Sequence, residues 1–167
     1  MKVDSLKKLI VINGTMGVGK TTVCQGLYKS LDKAVWLDGD WCWMMNPWNF
    51  NEENIRMVKN NITYLLRNFL TNSTFEYVIF NWVLHRKEIL DELLVRLGDL
   101  DFQLKKVTLL CSETALRQRM IQDGRSEEQI KLSIERLSMY ENMDTNIIDT
   151  SEIGTEEIVQ RIKEIIS

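Results

Sequence analysis

The stretch NGTMGVGKTT, residues 13–22, carries the residue types that bind a phosphate chain. Gly14, Gly19, Lys20 and Thr21 fit the pattern G-x-x-x-x-G-K-[ST], the Walker A motif. Glycines allow the backbone to wrap with its N–H groups pointing inward, and the helix that follows adds its positive end. Lys20 supplies a point charge for the outer phosphates, and the Thr21 hydroxyl can ligate Mg²⁺. We therefore predict that ATP or another nucleoside triphosphate, with Mg²⁺, is bound by Gly14, Thr15, Met16, Gly17, Val18, Gly19, Lys20, Thr21 and Thr22.

A second chemical group follows in the stretch LDGDW, residues 37–41, which contains the carboxylates Asp38 and Asp40. Asp and Gly are common in solvated turns, and such a turn is the alternative interpretation. A strand-like run ends directly before the pair, however, and a phosphate-binding loop lies upstream. This placement favours a role for the two acids in proton transfer or metal binding.

These groups must be positioned by short strands, which the sequence predicts in five apolar runs. The runs are LIVI at 9–12, AVWL at 34–37, YVIF at 77–80, VTLL at 107–110 and NII at 146–148. Between them, apolar residues recur at intervals of three and four, as in 55–69, which indicates amphipathic helices. Ser112 and Ser126 predict helix N-caps, and a last helix is expected to begin near Thr155. The alternation predicts a single α/β domain, 1–167, with a mostly parallel sheet covered on both faces.

Ligands of such sheets bind beyond the carboxyl ends of the strands. The candidate functional positions are therefore the residues that directly follow each run, at 13–22, 38–43, 81–86, 111–114 and 149–151.

In the P-loop and LDGD motifs the chain resembles the small P-loop kinases, which include gluconate, shikimate and adenylylsulfate kinases and chloramphenicol phosphotransferase. The resemblance implies a three-layer P-loop nucleoside-triphosphate hydrolase fold with a five-stranded parallel sheet in the order 2-3-1-4-5 and a short helical lid. It implies an acceptor-binding region at about 41–75 and a lid at about 117–140. It also implies that Asp40 is the base for an acceptor hydroxyl and Asp38 a metal-shell or positioning group, although the two roles could be exchanged.

The stretch LLCSETALRQRMIQDGR, residues 109–125, resembles the fourth strand of that family and the arginine-bearing helix that enters the lid. The resemblance implies that Arg119 and Arg125 close over the transferred phosphoryl group, as catalytic arginines. Arg117 and Arg136 are further lid cations, or exposed helix charges that make weak pairs. NIIDTS, residues 146–151, resembles the fifth strand and the adenine-side loop.

One position departs from the pattern of many P-loop proteins. They place a Walker B Asp at the end of a central strand, whereas this chain has Asn81 after YVIF. Because asparagine carries no charge, either Asp38 or Asp40 supplies the acid of the metal shell, or metal binding is weakened. We predict Thr21 and Asp38 as the Mg²⁺ ligands and Asn81 as an acceptor-binding residue.

Four of the five tryptophans lie within residues 36–48, where related kinases bind their acceptor. We predict that Asp38, Trp41 and Trp43 contact the acceptor; for the two tryptophans, packing under the following helix is an equal alternative. Trp82 is a further candidate, because it follows Asn81 at another strand end. Arg86 is predicted to orient the acceptor if the acceptor is anionic. His85 is interpreted as part of a solvated helix start.

Composition limits the partners. With 21 basic and 24 acidic residues the formal charge is −3, without blocks of like charge, so a nucleic-acid groove is not expected. No run approaches the roughly 20 apolar residues that span a bilayer, and MKVDSLKK lacks the features of a secretory signal. Three widely separated cysteines favour a reduced, cytoplasmic protein, expected as a monomer or homodimer.

The function that the sequence predicts is ATP-dependent transfer of the γ-phosphate to a hydroxyl of a small-molecule acceptor. One alternative is a nucleoside or nucleotide kinase in which tryptophans stack a base. Another is a nucleotide-binding switch or slow ATPase without an acceptor, which Asn81 keeps open.

Overall fold

A central parallel sheet organises the computed structural model, which describes residues 6–167. Its five strands, numbered along the chain, run in the order 2-3-1-4-5, as the resemblance implies. Each predicted run lies in a strand, and the fourth strand extends back to Gln103. The strands are β1 Lys8–Asn13, β2 Ala34–Asp38, β3 Tyr77–Asn81, β4 Gln103–Leu110 and β5 Asn146–Asp149.

Six α-helices connect or follow the strands in the described part of the chain. They are α1 Lys20–Ser30, α2 Glu52–Thr71, α3 Lys87–Arg96, α4 Glu113–Gln122, α5 Glu127–Arg136 and α6 Thr155–Ile166. The predicted N-caps are confirmed: the Ser112 hydroxyl accepts the Ala115 N–H, and Ser126 forms a capping box with Gln129. Short 3₁₀ turns lie at Gly39–Trp43 and Leu137–Met139.

The apolar run of β1 is continuous because both faces of the sheet are covered by helices. Ile10 and Ile12 belong to a core that includes buried residues of α1 and α6. Leu9 and Val11 point the other way, into a core that includes buried residues of α2 and α3. This confirms the predicted three-layer arrangement.

All strands are parallel, so their carboxyl ends share one edge of the sheet. At this edge lie the loop between β1 and α1, the Gly39–Trp43 turn, the β3–α3 loop and the hairpin of α4 and α5. The predicted functional positions are therefore neighbours in space. None of the helices within residues 6–167 has the length and apolarity needed to cross a membrane.

Candidate functional site

The loop from Gly14 to Gly19 (the P-loop) joins β1 to the first residue of α1, Lys20. Gly17 has φ 83°, and a Cβ there would lie 2.4 Å from the Met120 Cγ of α4. Gly19 caps α1 with φ 105° in open space, so only its backbone conformation demands glycine. Both positions thus require glycine for a left-handed backbone, and Gly17 requires it also for close packing against α4.

The side chain of Lys20 is buried and turned back into the P-loop. Its ammonium donates hydrogen bonds to the carbonyls of Gly14, at 2.8 Å, and Thr15, at 2.9 Å. Burial lowers the pKa of Lys20 to about 8, and the negative charges of Asp40 and Asp38 oppose this shift. A buried cation inside the phosphate loop suits a group whose partner is a polyphosphate.

Asn13, the last residue of β1, fixes the start of the P-loop to the β3–α3 loop. Its buried amide oxygen accepts the N–H groups of Gly14 and Leu84, both at 2.9 Å, and its amide nitrogen donates to Leu84 O at 3.0 Å. The sequence reasoning did not single out Asn13 for this role. The available signal was a polar residue at the end of an apolar strand, a position that burial makes costly unless its hydrogen bonds are satisfied.

Thr21 and Asp38 lie together beside the P-loop. The Thr21 hydroxyl donates to Asp38 Oδ2 at 3.0 Å, while Asp38 Oδ1 accepts the Asp40 N–H at 3.0 Å. Asp38 is only 5% exposed. A hydroxyl and a carboxylate oxygen in contact are the hard oxygen donors that Mg²⁺ prefers, so the donor set fits the predicted metal.

Asp40 lies two residues further on, at the surface of the Gly39–Trp43 turn. The protein packed around its carboxyl, and then the charge of Asp38, raise the pKa of Asp40; Lys20, Trp82 and Arg125 partly offset the rise. The two predicted acids therefore occupy different environments. Asp38 is buried and hydrogen-bonded, whereas Asp40 is reachable from solvent.

Asn81 ends β3 directly beside Asp38 in the register of the sheet. It is buried, and its amide oxygen accepts the indole N–H of Trp36 at 2.6 Å. This hydrogen bond explains why an amide is suitable here, since it satisfies an indole in the half-buried strand β2. The next residue, Trp82, lies against Gly39, where a Cβ would be 2.5 Å from the Trp82 Cγ.

The aromatic side chains of residues 36–50 form two separate groups. Trp41 packs on Trp36 with ring centroids 4.9 Å apart. Trp43 contacts the rings of Trp48 and Phe50, which stack on each other at 5.7 Å with an interplanar angle of 14°. Trp48 and Phe50 are each 62% exposed. Trp41 and Trp43 thus stand on different aromatic groups, and Phe50 is an exposed ring that the sequence reasoning did not single out.

The lid arginines differ in how their charges are used. Arg119 donates to Val18 O of the P-loop at 3.2 Å and to the side chain and carbonyl of Thr150 at 2.9 and 2.5 Å. Arg117 pairs with Glu127 at 2.6 Å on the surface. Within residues 6–167, Arg125 forms no hydrogen bond or ion pair through its side chain, although its charge acts on Asp40. Arg119 is therefore committed to the loop, and Arg125 is available.

The β3–α3 loop brings two further basic residues to the same edge. Arg86 precedes α3 at its N-cap position and is exposed. His85 is half-buried, and burial together with the charges of Arg136 and Arg86 lowers its pKa. Because its Nδ1 is buried, His85 is less solvated than the predicted solvated helix start, and its role there stays a prediction.

A cleft of about 270 Å³ opens between the P-loop, α4 and the start of α6. Its walls include Thr22, Arg119 and Thr155, together with the P-loop residues Gly17, Val18 and Gly19. A larger cavity of about 330 Å³ lies between α3 and residues 139–145. The smaller cleft opens onto the glycine loop and the N-terminus of α1, where the helix end favours an anion.

This sheet order, with the P-loop between β1 and α1 and one acid at the end of β2 and another just after it, is the fold of the small P-loop kinases. A family model described as AAA domain matches residues 10–149, and the chain belongs to that family. Comparison with curated proteins gives no match.

Three solved structures illustrate the shared fold. The tunicamycin resistance protein of Deinococcus radiodurans is 18% identical, with a TM-score of 0.70 and 96% of each chain covered. A gluconokinase from Sinorhizobium meliloti 1021 is 19% identical, with a TM-score of 0.67, 93% of this chain and 89% of that chain. A shikimate kinase from Acinetobacter baumannii, solved with shikimate, is 19% identical, with a TM-score of 0.65, 98% of this chain and 94% of that chain.

Proposed function

We propose that the protein transfers the γ-phosphoryl group of ATP to a hydroxyl of a small molecule. The observation that carries this proposal is the hydrogen-bonded series from the Thr21 hydroxyl at the start of α1, through the Asp38 carboxylate, to the backbone N–H of Asp40. This series holds Asp40, whose carboxyl is solvent-accessible, beside the P-loop. A nucleotide-binding module requires the loop alone. A transferase also needs a group that accepts the proton of the acceptor hydroxyl. Asp40, an acid with a raised pKa beside the loop, can supply it.

In the proposed reaction the acceptor oxygen forms a bond to the γ-phosphorus while the bond from that phosphorus to the β,γ-bridging oxygen breaks. ADP leaves, and the hydroxyl proton passes to the Asp40 carboxylate. Lys20 and the P-loop amides hold the β- and γ-phosphates, so catalysis consists largely of positioning and charge stabilisation. Thr21 and Asp38 would hold Mg²⁺, which neutralises phosphate charge when bound.

The arginines take different parts in this proposal. Arg125, with no partner among the described residues, closes on the transferring phosphoryl group. Arg119 is held by Val18 and Thr150 at the wall of the cleft, so its guanidinium plane supports the nucleotide. Arg86 faces the acceptor side, where it orients an anionic acceptor. Trp41 and Trp43 are proposed acceptor contacts, whereas the buried Asn81 acts on the acceptor indirectly, through the Trp36 ring that it holds.

The test is phosphate transfer from γ-labelled ATP, and in parallel GTP, to panels of sugars, sugar acids, antibiotics and nucleosides. We expect a labelled product with at least one hydroxyl acceptor. Transfer only to nucleosides would favour the nucleoside kinase, in line with the stacked Trp48 and Phe50. Label released only to water across all panels would contradict the proposal and favour the slow ATPase.

Asp40→Asn separates chemistry from binding. We expect transfer to fall by about 10²–10⁴-fold because the proton acceptor is lost, with ATP affinity within threefold of wild type. Asp32→Asn, an acid-to-amide change at an exposed turn, serves as the matched control and should leave both unchanged. Unaltered turnover of Asp40→Asn would show that another group is the base.

A further inference from the structure

Ser133 of α5 joins the lid to the P-loop through two buried hydrogen bonds. The Thr15 hydroxyl donates to Ser133 O at 2.9 Å, and the Ser133 hydroxyl donates to Met16 O at 2.5 Å. The two hydroxyl oxygens are themselves 2.8 Å apart. Thr15 is 0% and Ser133 1% exposed, so water does not replace these bonds. The two hydroxyls supply two protons for these three contacts, and in the hydroxyl–hydroxyl contact either oxygen can be the donor.

The position of Ser133 in the helix explains why this attachment forms. Ser133 lies in the last turn of α5, where backbone carbonyls have no partner within an α-helix. The last turn of α5 is tighter than an α-helical turn, because the Leu137 N–H donates to Ile134 O, three residues back along the chain. The P-loop hydroxyl of Thr15 therefore satisfies a carbonyl at the end of α5, while Ser133 satisfies a carbonyl of the P-loop in return.

The helix attached in this way has an arginine at each of its two ends, and neither side chain forms a hydrogen bond or ion pair within residues 6–167. Arg125 directly precedes the N-cap Ser126, and Arg136 is the last helical residue, three positions after Ser133 and next to it on the helix surface. The buried residues of α5, Ile130 and Ser133, form the face toward the protein. A rotation of α5 about its axis would move Arg136 together with Ser133.

We infer that Ser133 is a positioning residue, which couples α5 to the P-loop so that the lid arginines keep their place over the bound phosphates. This inference rests on the proposed function for its catalytic consequence. The attachment itself does not depend on the acceptor. Ser133 therefore acts through Arg125 and Arg136, and does not touch the reacting atoms.

The test compares Ser133→Ala, Thr15→Val and the double variant with Ser126→Ala. Ser126→Ala is the matched control, because it removes a hydroxyl from the exposed N-cap of the same helix and leaves the P-loop contacts in place. We expect Ser133→Ala to lower kcat about 10- to 50-fold and to change the Kd of β,γ-imido-ATP less than threefold. The loss in the double variant should be well below the product of the single losses, because the groups are in contact.

A second readout is hydrogen exchange of the α5 amides with β,γ-imido-ATP bound. In Ser133→Ala and Thr15→Val these amides should exchange at least fivefold faster than in wild type, while those of α6 stay unchanged. Ser126→Ala should keep kcat within twofold even if its thermal midpoint falls. If wild type transfers phosphate to no acceptor, the proposed function fails, but the exchange experiment still decides the coupling. Ser133→Ala with wild-type kcat, or with wild-type α5 exchange, would overturn the inference.

Discussion

The P-loop and the aromatic segment at residues 41–50 lie at the same edge of the sheet, but different forces hold them. The P-loop is fixed by hydrogen bonds from Asn13, Ser133 and Arg119, which come from three different parts of the chain. The aromatic segment is held mainly by ring contacts, and Trp48 and Phe50 remain largely exposed. Directional bonds specify one geometry, whereas ring contacts tolerate several.

This difference indicates a division of labour. Under the proposed function, the P-loop is preorganised for one ligand, a triphosphate, whose charge pattern does not vary. The aromatic segment, as the proposed acceptor side, offers apolar area that can be rearranged without breaking hydrogen bonds. We therefore expect substitutions near the P-loop to change binding and rate steeply, and substitutions among the exposed rings to change acceptor preference gradually.

Among the variants that compare these two regions, Lys20→Ala should give the largest effect. Without the buried ammonium we expect the Kd for ATP to rise at least about 100-fold, because the outer phosphates lose their main point charge. Isothermal titration calorimetry measures this, with the exposed Lys29→Ala as control.

The lowered pKa of Lys20 adds a second expectation for this variant. Below pH 8 Lys20 is charged in both the folded and the unfolded state. Burial makes this charge less favourable in the folded state, so the charge lowers the free energy of unfolding. Removing the Lys20 side chain should therefore not lower the thermal midpoint at pH 7. Loss of ATP binding with an unchanged midpoint would show that the variant affects phosphate binding by the P-loop and not folding.

Arg125→Ala should rank second, with kcat lower by about 10²-fold, since a free guanidinium stabilises charge on the transferring group. Arg117→Ala is the matched control. Its guanidinium is exposed and paired with Glu127, so kcat should stay within twofold. Equal losses in steady-state transfer assays of the two variants would show that Arg125 has no special role.

Phe50→Ala and Trp48→Ala should act on the acceptor side alone. We expect the acceptor KM to rise about 5- to 20-fold, in line with the loss of one stacking surface, while the ATP KM changes less than twofold. Tyr64→Ala, which removes an exposed ring further along α2, is the control. A change in ATP KM as large as that in acceptor KM would contradict the proposed division of labour.

The smallest effect concerns stability. Because the folded state raises the pKa of Asp40, it binds the proton more tightly than the unfolded chain does, and stability rises as pH falls through the raised pKa. At pH 7 the ionised carboxylate destabilises the fold. Asp40→Asn should therefore have a thermal midpoint a few degrees higher than wild type at pH 7, and the difference should shrink toward pH 4. A lower midpoint would contradict this sign.

Much of the architecture was predictable because local signals agree with the fold. The β-branched runs, the glycines of the P-loop and the serine caps each specify their own segment, and the parallel sheet then brings their ends to one edge. The strand order came from the resemblance to the small P-loop kinases. The placement of Thr21 beside Asp38 follows from that order, because β2 and the P-loop open at the same edge.

Contacts between distant segments were not predictable from the sequence. Thr15 and Ser133 are 118 residues apart, and Arg119 meets Thr150 only because α4 packs against the P-loop at Gly17. A hydroxyl in an amphipathic helix carries no sign of its partner. The tryptophans posed a different problem: residues 41–50 have no strand or helix period from which the direction of each ring could be deduced.

The close approach of Gly39 to Trp82 has a consequence for homologous sequences. Any side chain at position 39 would displace the indole, so the two positions constrain each other across the neighbouring ends of β2 and β3. Among relatives, a larger residue between the two acids should occur together with a smaller residue in place of Trp82. The glycine of LDGD should then be retained in those relatives that have a large aromatic residue at the position of Trp82.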